Sequence, residues 1–179
     1  MAKGKGGIIS GIITLIIGGT AYTISQADIV SNFSKDTGLS ETEAQQYVES
    51  ITEDELVSWD ELGNNYIEEG QYTLNVAYEL DCVTYEYEWE SSSLTCAEGK
   101  SQLLKIGNSE IELGEAYIIL NSDSATTDDI SIVIGLIDKL NANYSLPIVN
   151  LILDYSTITE MKNSNSYNKA VLQAALDSE

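Results

Sequence analysis

Residues 61–77, ELGNNYIEEGQYTLNVA, and residues 107–118, GNSEIELGEAYI, carry the pattern on which the fold depends. Small residues recur in these stretches every seven positions: Gly63, Gly70, Ala77, Gly107 and Gly114. Seven residues are almost two helical turns, so each set lies on one face of a helix. Larger residues stand beside them on each helix: Ile67, Leu74, Ile111 and Ile118. We therefore predict two closely packed helices, since a chance scatter of glycines does not explain the shared spacing.

The connection between these helices contains the two cysteines of the chain, Cys82 and Cys96. Thirteen residues separate them, a spacing that suits a structural disulfide in an oxidising compartment and not a redox pair of the CxxC type. The alternative is a pair of free buried thiols. A disulfide here would join the two helices at their connecting end and make an antiparallel hairpin. Closing such a loop stabilises the fold by about 3 kcal/mol in the chain-entropy model.

Three capping boxes predict further helix starts: Ser40–Glu43, Thr52–Glu55 and Thr95–Glu98. The second helix should continue to about Asp81 and the third to about Leu120. Apolar spacing predicts another helix over 128–141, and Pro147 suits the first turn of the next one. We therefore expect an all-α protein, in which an N-terminal transmembrane or signal helix precedes a bundle of four to six helices with one disulfide-closed loop.

The N-terminal segment, residues 1–27, differs from the rest of the chain in composition. Lys3 and Lys5 precede an uncharged stretch from Ile8 to Ile24, which as a helix is just short of the hydrocarbon thickness of a bilayer. One interpretation is an uncleaved anchor, with a small-residue face that packs against other membrane helices: Gly7, Gly11 and Gly18. The other is a secretory signal that is cleaved after Ala27. Both interpretations leave residues 28–179 as one exported domain.

The charge of this domain limits its partners. It holds all 29 acidic residues and six of the eight lysines, so its formal charge is −23. Such a field disfavours nucleic acid and anionic membrane surfaces. The chain has neither histidine nor arginine, which removes Ser-His-Asp triads, imidazole metal ligands and bidentate guanidinium contacts. We predict no cofactor and no metal, and we interpret the polar stretch 121–129 as a helix cap in preference to a calcium loop.

The most promising contact residues form an alternating aromatic row: Tyr85, Tyr87 and Trp89. Tyrosine and tryptophan are enriched where proteins meet, so this row is a candidate contact with a protein partner. The alternative is that the three aromatic side chains fold back onto the bundle. Because the domain is strongly acidic, a partner should present a neutral or basic surface.

These observations favour a non-enzymatic accessory or interaction subunit. The N-terminal helix would hold it in the membrane with the N-terminus in the cytoplasm, and the acidic domain would face a periplasm, a lumen or the exterior. One alternative is a secreted binding module that is released by cleavage after Ala27. Another is a structural subunit of a filament or envelope, and association between copies of the chain is compatible with each of these hypotheses.

Overall fold

The computed structural model describes residues 12–51, 58–82 and 94–178, with only the backbone given for residues 12–14. Within these ranges the chain forms a β-hairpin and seven helices. The strands are β1 (Ile12–Ile17) and β2 (Thr20–Ser25). The helices are α1 (Gln26–Thr37), α2 (Glu41–Ser50), α3 (Trp59–Glu79), α4 (Cys96–Leu120), α5 (Thr127–Asn143), α6 (Pro147–Ile152) and α7 (Tyr155–Asp177). The mostly helical fold is confirmed, although the predicted range of four to six bundle helices is too low.

The helix predicted over the N-terminal apolar stretch is wrong for residues 12–25. β1 and β2 pair antiparallel, with Ile17 opposite Thr20 and Ile12 opposite Ser25. Gly18 and Gly19 make the two-residue turn at φ angles of +59° and +71°, which glycine adopts without strain. Gly18 is therefore a turn residue and not part of a helix-packing face, whereas Gly7 and Gly11 lie outside the described residues. No helix in the described ranges is long and apolar enough to cross a bilayer.

The hairpin belongs to the core of the helical domain. Ile17, Tyr22 and Ile24 are each at most 5% exposed, and they join the same apolar cluster as Ile29 and Phe33 of α1. β2 packs against α1 and α7. The predicted boundary after residue 27 thus falls after the second residue of α1, and the elements on either side of it share one hydrophobic core.

Polar caps begin the helices where the sequence predicts them. Ser40 and Thr95 each accept a backbone N–H bond in a complete capping box, and the predicted cap within 121–129 is a third box at Thr126. Pro147 occupies the first turn of α6. The box predicted at Thr52–Glu55 lies outside the described residues, and α3 begins after Ser58, whose side chain accepts from the Glu61 N–H.

α3 and α4 form the most closely packed helix pair. A Cβ built on Gly63 would lie 2.6 Å from the Gly114 carbonyl oxygen, and one on Gly70 would lie 2.6 Å from the Gly107 oxygen. The order of these two contacts reverses between the helices, so the pair is antiparallel. Beside each glycine lies a branched side chain of the facing helix: Ile118, Ile111, Leu74 and Ile67. We call this contact the glycine seam.

The disulfide predicted between Cys82 and Cys96 is confirmed. It joins Cys82, which lies three residues past the end of α3, to Cys96, the first residue of α4, with the two Cα atoms 5.2 Å apart. The opposite side of α4 packs against α5, which in turn contacts α7. α4 is accordingly the central helix, and it supplies buried side chains to both sides of the molecule.

Candidate functional site

A groove opens on the side of α3 next to the glycine seam, where α3 and the α6–α7 region diverge above α4. Its more apolar part has a volume of about 430 Å³, within the ~300–1,000 Å³ range of small-ligand sites. We call this part the apolar chamber. Its lining residues are Glu68, Glu69, Tyr72, Thr73, Leu103, Ile106, Glu110, Tyr144, Val149, Ile152, Leu153 and Met161.

A second chamber of about 450 Å³ adjoins the first. The two share Glu69, Tyr144 and Met161 as a common wall. We call the second one the polar chamber because amides, hydroxyls and a further carboxylate dominate its other lining residues: Leu62, Asn65, Tyr66, Thr157, Glu160, Ser164 and Asn165. No lysine lies among the described residues that line either chamber. Together the chambers form one acidic groove.

Glu110 lies at the base of the apolar chamber and is only 3% exposed. The Tyr144 hydroxyl donates to its Oε1 at 2.9 Å. Thr73 Oγ1 lies 2.9 Å from its Oε2 and 3.0 Å from the Glu69 carbonyl oxygen, so these two acceptors share one hydroxyl proton. No lysine among the described residues lies within ion-pair distance of Glu110. The buried carboxyl group is therefore held by neutral donors, and no described residue supplies a counter-charge.

Burial raises the pKa of the Glu110 carboxyl group. The two hydroxyl donors work against this increase, and the negative charge of Glu69 adds to it. Glu69 is exposed at the rim, yet the protein around it removes enough hydration to raise its pKa as well. Burial likewise raises the pKa of Tyr144, so its phenol stays protonated and acts as a donor. The groove thus contains two carboxyl groups whose charged forms are less well solvated than they would be in water.

A polar network continues from the groove into the core. The Tyr66 hydroxyl donates to Asn165 Oδ1, and the Asn165 amide donates to Asn141 Oδ1 at 2.8 Å. The Tyr66 ring stacks on Tyr117 at 5.8 Å, and Tyr117 stacks on Trp59 at 5.3 Å. These contacts connect α3, α4, α5 and α7, which fixes the walls on either side of the polar chamber.

Apolar side chains surround the mouth of the groove. Tyr72 is 72% exposed and Ile152 is 54% exposed, although both line the apolar chamber. Two more exposed apolar residues lie within three positions of Ile152, namely Leu151 and Tyr155. Exposed tyrosines and aliphatic residues beside a groove are typical of protein interaction surfaces.

The predicted contact row of Tyr85, Tyr87 and Trp89 lies outside the described residues. Among residues 12–51, 58–82 and 94–178, no three acidic or cysteine side chains converge in a way that suits a metal ion. The predicted seam residues Gly63, Gly70, Gly107 and Gly114 come together at the α3–α4 contact, away from the groove lining, and Ala77 on the same helix is fully buried.

Sequence reasoning missed Glu110 and Tyr144 as site residues. They are 34 positions apart, and Glu110 is one of 29 acidic residues. One signal could have singled it out, because Glu110 stands between Ile106 and Leu113 on the apolar face of a helix. A carboxyl group at such a position has to find donors inside the protein.

The chain matches no protein-family model, no curated protein and no solved structure.

Proposed function

We propose that this protein is a non-enzymatic interaction module whose acidic groove binds a protein partner with a neutral or basic surface. The observation that carries the proposal is the combination of apolar walls with carboxyl groups that no described lysine neutralises. Apolar walls offer contact area, and unpaired carboxylates favour a partner that brings positive charge. The exposed Tyr72 and Ile152 extend this contact area to the surface.

The non-enzymatic part of the proposal rests on composition. A chain without histidine or arginine lacks the commonest general base and the commonest clamp for phosphate and carboxylate groups. The polar side chains beneath the groove also have a structural explanation. Thr73 and Tyr144 donate hydrogen bonds to Glu110. Asn165 accepts from Tyr66 and donates to Asn141.

The location of the protein is also a proposal. The disulfide favours a periplasm, a lumen or the exterior over a reducing cytoplasm. Membrane attachment through the N-terminal residues stays a prediction, and so do release by cleavage after Ala27 and association between copies. Fractionation of the native protein with and without detergent, followed by intact-mass measurement, separates the attached form from the released form.

A peptide-display selection against the purified chain tests the interaction itself. The selected peptides should carry net positive charge together with aliphatic or aromatic residues. Ile152→Glu places a charge at the groove mouth and should weaken peptide binding at least tenfold, as measured by fluorescence anisotropy.

Ile132→Glu is the matched control, because Ile132 is 55% exposed but lies on α5 outside the groove lining. It should change the affinity by less than twofold. Peptides that bind the Ile152→Glu protein as tightly as the unmodified protein would overturn the proposal, and so would selections that yield no binding peptide.

A further inference from the structure

We infer that the apolar chamber recognises a primary ammonium group on an aliphatic stem, as in a lysine side chain, held between Glu69 and Glu110. This inference rests on the proposed function and adds the chemistry of the anchoring group. The occupant is identified by charge complementarity, since the chamber combines apolar walls with three glutamates and no described lysine.

The shape of the chamber accounts for the aliphatic stem. Leu103, Ile106 and Val149 are each at most 4% exposed and line the chamber below its mouth. Methylene groups that enter this region exchange water for apolar contacts, which favours binding of an aliphatic stem. A lysine side chain carries such a stem and places its charge at the far end.

The acceptors at the base account for the ammonium group. Thr73 and Tyr144 occupy one acceptor site on each Glu110 oxygen, so each oxygen retains a free lone pair. Glu69 lies on α3 at the rim, and Glu110 lies on α4 at the base. An ammonium group donates three protons in diverging directions, which suits acceptors on two different helices. A guanidinium group instead favours two parallel hydrogen bonds to a single carboxylate. Acceptors on two different helices suit an ammonium group better than this parallel geometry.

The ammonium group would also correct the electrostatics of the chamber. Glu110 is buried with neutral donors only, and Glu69 adds a second negative charge nearby. A cation between them supplies the counter-charge that no described lysine provides. The bound ammonium group would displace water from the chamber and make two charge-assisted hydrogen bonds with the glutamates. Such bonds are about twice as strong as neutral ones.

The experiment is an NMR titration of the ¹⁵N-labelled full chain with n-hexylammonium chloride, hexan-1-ol and sodium hexanoate. Hexylammonium should shift the backbone signals of Thr73 and Glu110 saturably, with an affinity about tenfold higher than that of hexanol. Hexanoate should show no saturable binding because the groove repels it. n-Butylguanidinium is a fourth probe and should bind more weakly than hexylammonium.

Glu69→Gln should weaken hexylammonium binding five- to tenfold and leave hexanol binding unchanged. Glu115→Gln is the control, because Glu115 is exposed on α4 and does not line the groove. Equal affinities for hexanol and hexylammonium would overturn the inference, as would equal losses in the two variants or tighter binding of butylguanidinium.

The failures of the two proposals are distinguishable. If the selected peptides contain no lysine but their binding requires an intact groove, the proposed interaction module is supported and only the ammonium site is overturned. Saturable hexylammonium binding combined with peptides that ignore Ile152→Glu overturns the proposed function and leaves a small-amine site.

Discussion

The two sides of α3 differ: one packs closely against α4, and the other lines an open groove. On the seam side, Gly63 and Gly70 bring the α3 backbone against the α4 backbone. On the groove side, Glu69, Tyr72 and Thr73 face a space that the α6–α7 region does not fill. The difference follows from side-chain size, because residues without a Cβ permit backbone contact and larger polar residues keep the neighbouring helix away.

The closed side also gives the open side its geometry. Glu110 lies on α4 between Gly107 and Gly114, so the seam that fixes α4 against α3 also fixes the distance between Glu110 and Thr73. Any substitution that separates the two helices should therefore affect both stability and the groove.

Replacing both members of one glycine pair should have the largest effect. In Gly70→Ala with Gly107→Ala, each added methyl group meets a carbonyl oxygen within 2.8 Å, which the backbone cannot avoid by a rotamer change. Overpacking costs about 1–3 kcal/mol per site, so we expect a loss of about 4 kcal/mol in the free energy of unfolding, measured by urea denaturation. The backbone NMR signal of Glu110 should also shift.

Gly135→Ala is the matched control for this pair. Gly135 lies inside α5, and a Cβ there would meet no atom within 4 Å. Alanine has the higher helix propensity, so the control should gain up to about 1 kcal/mol. A double seam variant that is as stable as the unmodified protein would show that the helices adapt without the close contact.

Removing the disulfide should have the next largest effect. Cys82→Ser with Cys96→Ser removes the cross-link between two residues that are 14 positions apart. The chain-entropy model predicts that the free energy of unfolding then falls by about 3 kcal/mol. The seam should survive, because its contacts lie within the helices, so the far-ultraviolet circular dichroism should keep its helical shape. Reductant should lower the stability of the unmodified protein to that of the variant and leave the variant unchanged. A loss below about 1 kcal/mol would mean that the seam alone holds the helix pair.

The same contrast explains how much of the fold was predictable. The glycine seam and the helix caps could be predicted because both are local patterns. A seven-residue spacing, or a capping box such as Thr95–Glu98, can be recognised within a few helical turns of sequence. The hairpin also had a local signal, since two runs rich in β-branched residues flank Gly18-Gly19. The length of the uncharged stretch favoured a membrane or signal helix more strongly than this pattern favoured a hairpin. Burial of Ile17, Tyr22 and Ile24 against α1 and α7 then decides for strands.

The groove was not predictable in this way. It depends on the distance between helices that are far apart in sequence, such as α3 and the start of α7. Glu110 differs from the other acidic residues only by its burial and by its two donors, and those contacts span 34 and 37 positions. A sequence shows which helix faces are apolar, but it does not show where two such faces remain apart and leave a groove.

The smallest expected effect concerns the pH dependence that Glu110 contributes. Its pKa is raised above 4.5 in the folded protein, so folded Glu110 keeps a proton that the unfolded chain has already released. The free energy of unfolding should therefore fall as pH rises from about 4.5 through the higher folded pKa. Glu110→Gln removes this fall and still offers both a donor and an acceptor to Thr73 and Tyr144. We expect the unfolding free energy of the variant to match that of the unmodified protein at acidic pH and to exceed it at neutral pH.

Urea denaturation between pH 4 and pH 8 measures this difference, with Glu115→Gln on the exposed side of α4 as the control. The outcome bears on the comparison between the closed and the open side. If Glu110→Gln loses stability at neutral pH, the carboxylate is part of the structural network, and its contacts with Thr73 and Tyr144 outweigh the cost of its burial. If the variant gains stability, the protein carries an energetic penalty at the base of its groove, and a bound cation would relieve that penalty by supplying the counter-charge.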